Sequence, residues 1–217
     1  MTTRKISDNF FILFLSALLA GILIGQFRDL LRNKTVEKPK QIKNWTDLTI
    51  GRSPSSGRSP AKVSIIEFSD YQCPYCAILE PRLQKLLKDH VDQVAFYRYD
   101  LPNQKIHPYA RAASIAARCS ELQGNTEDYQ KLLFQRQFSF DKLDFVVLAK
   151  EAGISDLRVF TDCLSSSRTH QLIDRDIAVA RNLSIDSTPT LVLNGLIVQG
   201  AVSLDELERI YRKAAHR

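Results

Sequence analysis

The chain holds 217 residues, 44% of them hydrophobic and 25% charged, with eight Gly, eight Pro and four Cys. That bounds it to one large domain, or one domain with an appendage, and excludes collagenous, low-complexity and disulfide-dense mini-scaffold chains. The net charge of +6 lies wholly in residues 1–62, with eleven Lys/Arg against four Asp/Glu; residues 63–217 carry nineteen against twenty, so a nucleic-acid groove on the globular part loses its support.

Phe10 to Phe27, FFILFLSALLAGILIGQF, contains no charge. As a helix it spans roughly 27 Å, enough for a bilayer core. Arg4 and Lys5 precede it, as in a signal sequence. Leu18, Leu19 and Leu23 occupy the −3 positions of the available small-residue cuts, which favours an uncleaved anchor over a removed signal. Arg28, Arg32, Lys34, Lys38, Lys40 and Lys43 follow the span, and the positive-inside rule alone would put the C-terminal part in the cytoplasm. The cysteine chemistry argues for the outside, and that is the orientation expected here. Residues 1–27 are therefore read as anchor and 28–61 as a basic polar linker containing GRSPSSGRSP, with Trp45, Leu48 and Ile50 able to dock as a leading strand.

The domain is expected over 62–217. KVSIIEF, Lys62 to Phe68, predicts a buried strand. Cys73-Pro74-Tyr75-Cys76 opens a helix whose Leu79, Leu83, Leu86 and Leu87 share one face, with Pro74 at its first position and Pro81 expected to kink it. Val94 to Tyr99 predicts a second strand, parallel to the first. An all-helical block follows over about 107–183. Leu191 to Leu193 and Ile197-Val198 then read as a hairpin around Asn194-Gly195. SLDELERIYRKAA closes the chain as an amphipathic helix with Ser203 as cap and Glu206 completing a capping box. The order is β-α-β, a helical block, then β-β-α.

A Cys-x-x-Cys placed after a strand, at a helix start, sets its first thiol against unpaired N–H groups and the positive end of the helix dipole. That favours thiolate, the species that attacks disulfides. Cys73 is therefore expected to be the exposed nucleophile and Cys76 the buried resolving thiol. Zinc would need a second pair or His at ligand spacing, so no metal is expected. Glu67 sits in an apolar strand, where burial raises a carboxyl pKa and lets it shuttle the Cys76 proton; the alternation equally allows it to face solvent. Cys119 and Cys163 read as a structural disulfide in an oxidising compartment, or else as two buried thiols. His107 reads as a helix-start or packing residue.

The segment EFSDYQCPYC, with LPNQKIHPYARAASIAARC, STPT and LVLNG, resembles the DsbA-like thiol–disulfide oxidoreductases over roughly residues 60–215. The resemblance implies an α/β thioredoxin fold with a helical domain inserted between the β-α-β and β-β-α halves, preceded here by the N-terminal transmembrane helix. It implies attack at Cys73, resolution by Cys76, a buried acid at Glu67, and substrate contacts at Pro74, Tyr75, Thr188 and Pro189, with Pro189 cis. It implies no cofactor. The partners implied are exported cysteine-containing proteins and a membrane redox partner of the DsbB or quinone-linked type. The protein would act as a monomer at the bacterial inner membrane, with the catalytic domain in the periplasm or extracytoplasmic space. The function expected is disulfide formation. A reductase or isomerase kept reduced by a membrane carrier is the alternative, since Thr188 before the proline resembles isomerase-like members as much as oxidases. A cysteine-independent holdase is the third reading.

Overall fold

The structure is a computed structural model describing residues 41–124 and 126–217. The expected anchor at Phe10–Phe27 and the first part of the linker lie outside the described residues. No helix among the described residues is long and apolar enough to cross a membrane.

In chain order the elements are β1 (Ser56–Gly57), β2 (Val63–Ser69), α1 (Pro74–Asp89), β3 (Val94–Asp100), α2 (Ala110–Glu121), α3 (Thr126–Arg136), α4 (Phe145–Glu151), α5 (Leu157–Leu164), α6 (Ser167–Asn182), β4 (Thr190–Leu193), β5 (Leu196–Gln199) and α7 (Leu204–Ala215). The sheet order is β1-β3-β2-β4-β5. β2 and β3 run parallel with Glu67 opposite Arg98, and β4 lies antiparallel to β2. This is the β-α-β, helical block, β-β-α order, and all of β2, β3 and β4 is buried.

Alternation along the strands divides the core in two. Val63, Ile65, Val94, Phe96, Leu191 and Leu193 pack under α1 and α7, against Leu79, Leu83, Leu86, Leu207 and Ile210. Ile66, Phe68, Tyr97, Tyr99 and Val192 fill the other face with Leu48 and Ala180. Pro81 lies inside α1, yet the helix continues to Asp89. The leucines on both sides of it are fully buried, and that packing outweighs the lost backbone bond. Asn194 and Gly195 both adopt positive φ, which a tight hairpin turn needs. At α7, Ser203 Oγ accepts from the Glu206 N–H (3.2 Å), but the Glu206 carboxylate turns to Arg209, so only half of the expected capping box forms.

The described part of the expected linker is mostly exposed but is tethered to the domain at a few points. The Ile42 N–H donates to the Gly195 carbonyl (2.9 Å), and Gln41 bridges Leu196 on the β5 edge. Trp45–Leu48 forms a 3-10 turn in place of the expected leading strand; Leu48 is buried, while Ile50 is exposed. The Tyr99 hydroxyl donates to the Leu48 carbonyl (2.7 Å), Arg52 pairs with buried Asp176, and its guanidinium lies 3.8 Å from the Tyr99 ring centroid. The strand that does form, β1, pairs antiparallel with β3 on the opposite edge. Beyond it, Arg118 donates to the Arg98 carbonyl (3.1 Å), and the Asp100 N–H donates to Asp176 (3.0 Å). A short strap thus crosses one face of the sheet and ties down both edges.

The helical block has its own core, including Ala113, Tyr129, Leu133, Phe160 and Ile173, which continues into Tyr71, Cys73 and Cys76. Cys119 on α2 and Cys163 on α5 are joined as a disulfide with 44 residues of separation. Closing a loop of that size removes about 4 kcal/mol of denatured-state freedom in the chain-entropy account. Replacing both cysteines with alanine is expected to lower stability by about that amount, read from urea denaturation with Cys73 and Cys76 held reduced.

Candidate active site

The buried strand β2 ends at Ser69, and the chain turns through Asp70 and Gln72 into α1. Asp70 Oδ1 accepts from the Gln72 N–H (2.7 Å), and Asp70 Oδ2 accepts from the Asn103 N–H (2.9 Å) and from His107 Nδ1 (2.8 Å). One buried carboxylate thereby fixes the loop before α1 and the loop after β3. Cys73 occupies the N-cap of α1 with Pro74 next, a position whose missing N–H costs the helix nothing.

Cys73 and Cys76 are free thiols, and both are buried. Cys73 is 4% exposed, which corrects the expectation of an open nucleophile. Its Sγ lies 3.5 Å from the Thr188 carbonyl, so the proline loop covers it. The exposed members of the motif are Pro74 and Tyr75, the latter at 62%. The Cys76 thiol, donating to Cys73 Sγ, lowers the Cys73 pKa from its ordinary value to about 5. Burial works against this, while the Thr188 side chain and the backbone N–H groups of Cys76 and Tyr75 support it. Cys76 goes the opposite way: burial pushes its thiol well above the ordinary value, and the charges of Cys73 and Glu67 add to the rise. The Thr188–Pro189 peptide is cis, as is Ser59–Pro60. Pro189 is buried and Thr188 half-buried.

Glu67 is buried on the α1 side of the sheet, not on a solvent face. Burial pushes its carboxyl up, Arg98 pulls it back and Glu80 adds to the rise; the net direction is up. Oε2 accepts from Arg98 Nε (3.0 Å), while Oε1 makes no hydrogen bond of ordinary geometry. Arg98 also donates to Glu80 (2.5 Å) and to Gln130 on α3 (2.5 Å). Burial opposes the Arg98 charge, but Glu80 and Glu67 outweigh it and hold its pKa well above the ordinary value.

Arg98, Glu80 and the Asp70–His107 pair did not emerge from the sequence reading. For Arg98 a signal existed: VAFYRYD places one cation in a buried strand, at the position in register with the acid of EF in the neighbouring strand. His107 stands just before α2, as a helix-start residue would, and it also lines the cleft shared by Cys73, Tyr75, Ile106 and Thr188. No group of three or more His, Cys, Asp or Glu among the described residues is placed to hold a metal ion.

This is a thioredoxin fold carrying a dithiol at the start of its first long helix. The chain belongs to the thioredoxin family: a family model described as Thioredoxin matches residues 49–212. A curated relative named Na(+)/H(+) antiporter NhaA 3, from Salinispora tropica, is 31% identical over 151 residues, 70% of this chain but 23% of that protein. The chain thus spans about a quarter of the length of the first curated relatives it matches. Disulfide bond formation protein D of Bacillus subtilis is 23% identical over 177 residues, covering 76% of this chain and 78% of that protein. The catalytic domain of Proteus mirabilis ScsC superposes with a TM-score of 0.69 at 24% identity, over 80% of this chain and 96% of that one, a likeness of fold.

Arg98 is the counterion to two buried carboxylates, and removing it strands both. Arg98→Met is expected to cost about 3–5 kcal/mol in urea denaturation at pH 7. Adding Glu67→Gln and Glu80→Gln to that variant is expected to restore most of the loss, because the uncompensated charges go with them.

Proposed function

We propose that the chain is a thiol–disulfide oxidoreductase of DsbA type that forms disulfides in exported cysteine-containing proteins through the Cys73–Cys76 pair. The observation that carries this reading is the geometry of the dithiol, with Cys73 at the N-cap of α1, Cys76 one turn inside it and the cis Thr188–Pro189 loop 3.5 Å from Cys73 Sγ; the lowering of Cys73 and raising of Cys76 agree with it. A substrate thiolate attacks Cys73 Sγ of the oxidised pair, and the sulfur–sulfur bond breaks toward Cys76, which takes up a proton. A second substrate thiol then attacks the mixed disulfide and releases Cys73 as a thiolate. Cys73 is the better leaving group because it is stable as an anion at neutral pH.

Glu67, with its raised pKa and an unbonded Oε1, is suited to move the Cys76 proton. Pro74, Tyr75 and Thr188 line the cleft at Cys73, with buried Pro189 next in the chain, and an extended substrate would lie there. The N-terminal apolar segment would tether the domain to the bacterial inner membrane facing the periplasm or extracytoplasmic space, and a DsbB-type or quinone-linked membrane protein would reoxidise it.

A stabilised thiolate favours the reduced form and makes the pair oxidising. The linkage sign follows from a thiol lowered on folding. Its contribution to the reduced protein is full above the unfolded value of about 8.5 and is lost as pH falls through about 5. The reduced protein is expected to be more stable than the oxidised one at pH 7, with the gap shrinking toward pH 5, read by urea denaturation of both forms. Equilibration in glutathione buffers is expected to give a reduction potential near about −120 mV; a value of about −250 mV or below would instead select the reductase reading. Cys73→Ser is expected to abolish exchange and Cys76→Ser to trap mixed disulfides, and full turnover by Cys73→Ser would remove the assignment.

A further inference from the structure

His107 precedes α2, and its ring makes one hydrogen bond, to Asp70. Its Nδ1 lies 2.8 Å from Oδ2 of Asp70, a fully buried side chain that also takes the N–H groups of Gln72 and Asn103. A carboxylate only accepts, so its partner Nδ1 is the nitrogen that carries the proton, and in the neutral tautomer this leaves Nε2 as the acceptor. Nε2 has no hydrogen-bond partner among the described residues, whereas Nε2 of His90 and of His170 both have one. The ring lines the cleft that contains Cys73, Tyr75 and Thr188, and its other side borders a second cavity with Pro74 and Phe138. A carboxylate that fixes the tautomer, an imidazole with one committed nitrogen, and a second nitrogen on the cleft that also holds the exchanging sulfur together make a base and its orienting group.

We propose that His107 is the general base for the incoming substrate thiol, with Asp70 as its positioning residue. The inference rests on the oxidoreductase reading of the Cys73–Cys76 pair. The substrate S–H gives its proton to Nε2, and the resulting thiolate attacks Cys73 Sγ of the enzyme disulfide. A substrate–Cys73 bond forms as the Cys73–Cys76 bond breaks, its electron pair leaving on the Cys76 sulfur, which is then protonated. The imidazolium gives its proton to water; the second substrate thiol, deprotonated in turn at Nε2, attacks the substrate sulfur of the mixed disulfide, forming the substrate disulfide and releasing Cys73 as a thiolate. The enzyme disulfide is the oxidant, and no other co-reactant is needed. The charged or titratable groups around the ring are Asp70, Lys105, Asp186 and Cys73 on the cleft side, with Tyr109 and Asp141 across the second cavity.

The experiment is stopped-flow oxidation of a two-cysteine peptide by the full oxidised chain between pH 5 and 9. His107→Gln is expected to lose about tenfold in the bimolecular rate at pH 7, because a free thiol is already a few per cent ionised there and full deprotonation could add no more than about 30-fold. That deficit is expected to close above about pH 8.5, where the peptide thiol ionises unaided. His107→Ala is expected to regain about threefold of its rate when imidazole is added at pH 7, a rescue that a purely architectural side chain does not permit. A deficit that is equal at every pH and insensitive to imidazole would overturn the proposal, as would a variant as fast as its parent. Urea denaturation of both variants identifies a loss caused by unfolding. If the parent chain itself fails to oxidise the peptide, the oxidoreductase reading falls first, and the two failures are told apart.

Discussion

The guanidinium of Arg98 is the interaction on which the rest of the molecule depends. It leaves β3, pairs in register with Glu67 of β2, reaches Glu80 one helical turn beyond Cys76, and donates to Gln130 of the helical insertion. Four parts of the chain distant in sequence converge on one planar cation. Burying that cation alone would cost more than the fold could supply, and burying either acid alone would drive it neutral. Together they hold the sheet, the helix bearing the thiols and the insertion in a common register. The insertion is therefore more than an appendage to a thioredoxin core: its own apolar cluster runs without a break into Cys73 and Cys76.

The same network sets the electrostatics above it. Glu67 contributes to the rise of the Cys76 thiol, while the helix start and the Cys76 thiol lower Cys73. Two sulfurs three residues apart are thus moved in opposite directions by groups on opposite sides of them. The asymmetry needs no metal and no bound organic group, only a helix terminus on one side and a low-dielectric pocket with a raised acid on the other. The Asp70 carboxylate adds a second fixed point at the mouth, binding together the two loops that bound the cleft.

Much of this was legible in the sequence. Helical and strand periodicity located the elements to within a few residues, because β2, β3 and β4 are buried on both faces and read as apolar runs. The Cys-x-x-Cys stood out through its place between a strand and a helix. Exposure of Cys73 was misjudged because the covering group, Thr188, is 115 residues away and spacing says nothing about a distant loop folding back. Arg98 was passed over because a single cation in a strand reads as a solvated residue until the opposing strand is known. The segment from Gln41 to Gly57 read as spacer for a similar reason: it has few apolar residues, and its attachment runs through backbone hydrogen bonds, one buried leucine and an arginine on a buried aspartate.

That strap bears on how the protein meets its neighbours. A mixed sheet of this kind ordinarily leaves two rows of unpaired amides and carbonyls, each a template onto which a stray extended chain can zip. Here one row is occupied by β1 and, beyond it, by Arg118 and Asp176 acting on the backbone of Arg98 and Asp100; the other is bridged at Leu196. For a protein whose work would bring it against unfolded, cysteine-bearing chains, this matters. Partly covered margins would limit such zipping at the sheet edges, and on the proposed reading extended pairing would fall to the proline loop above the thiols.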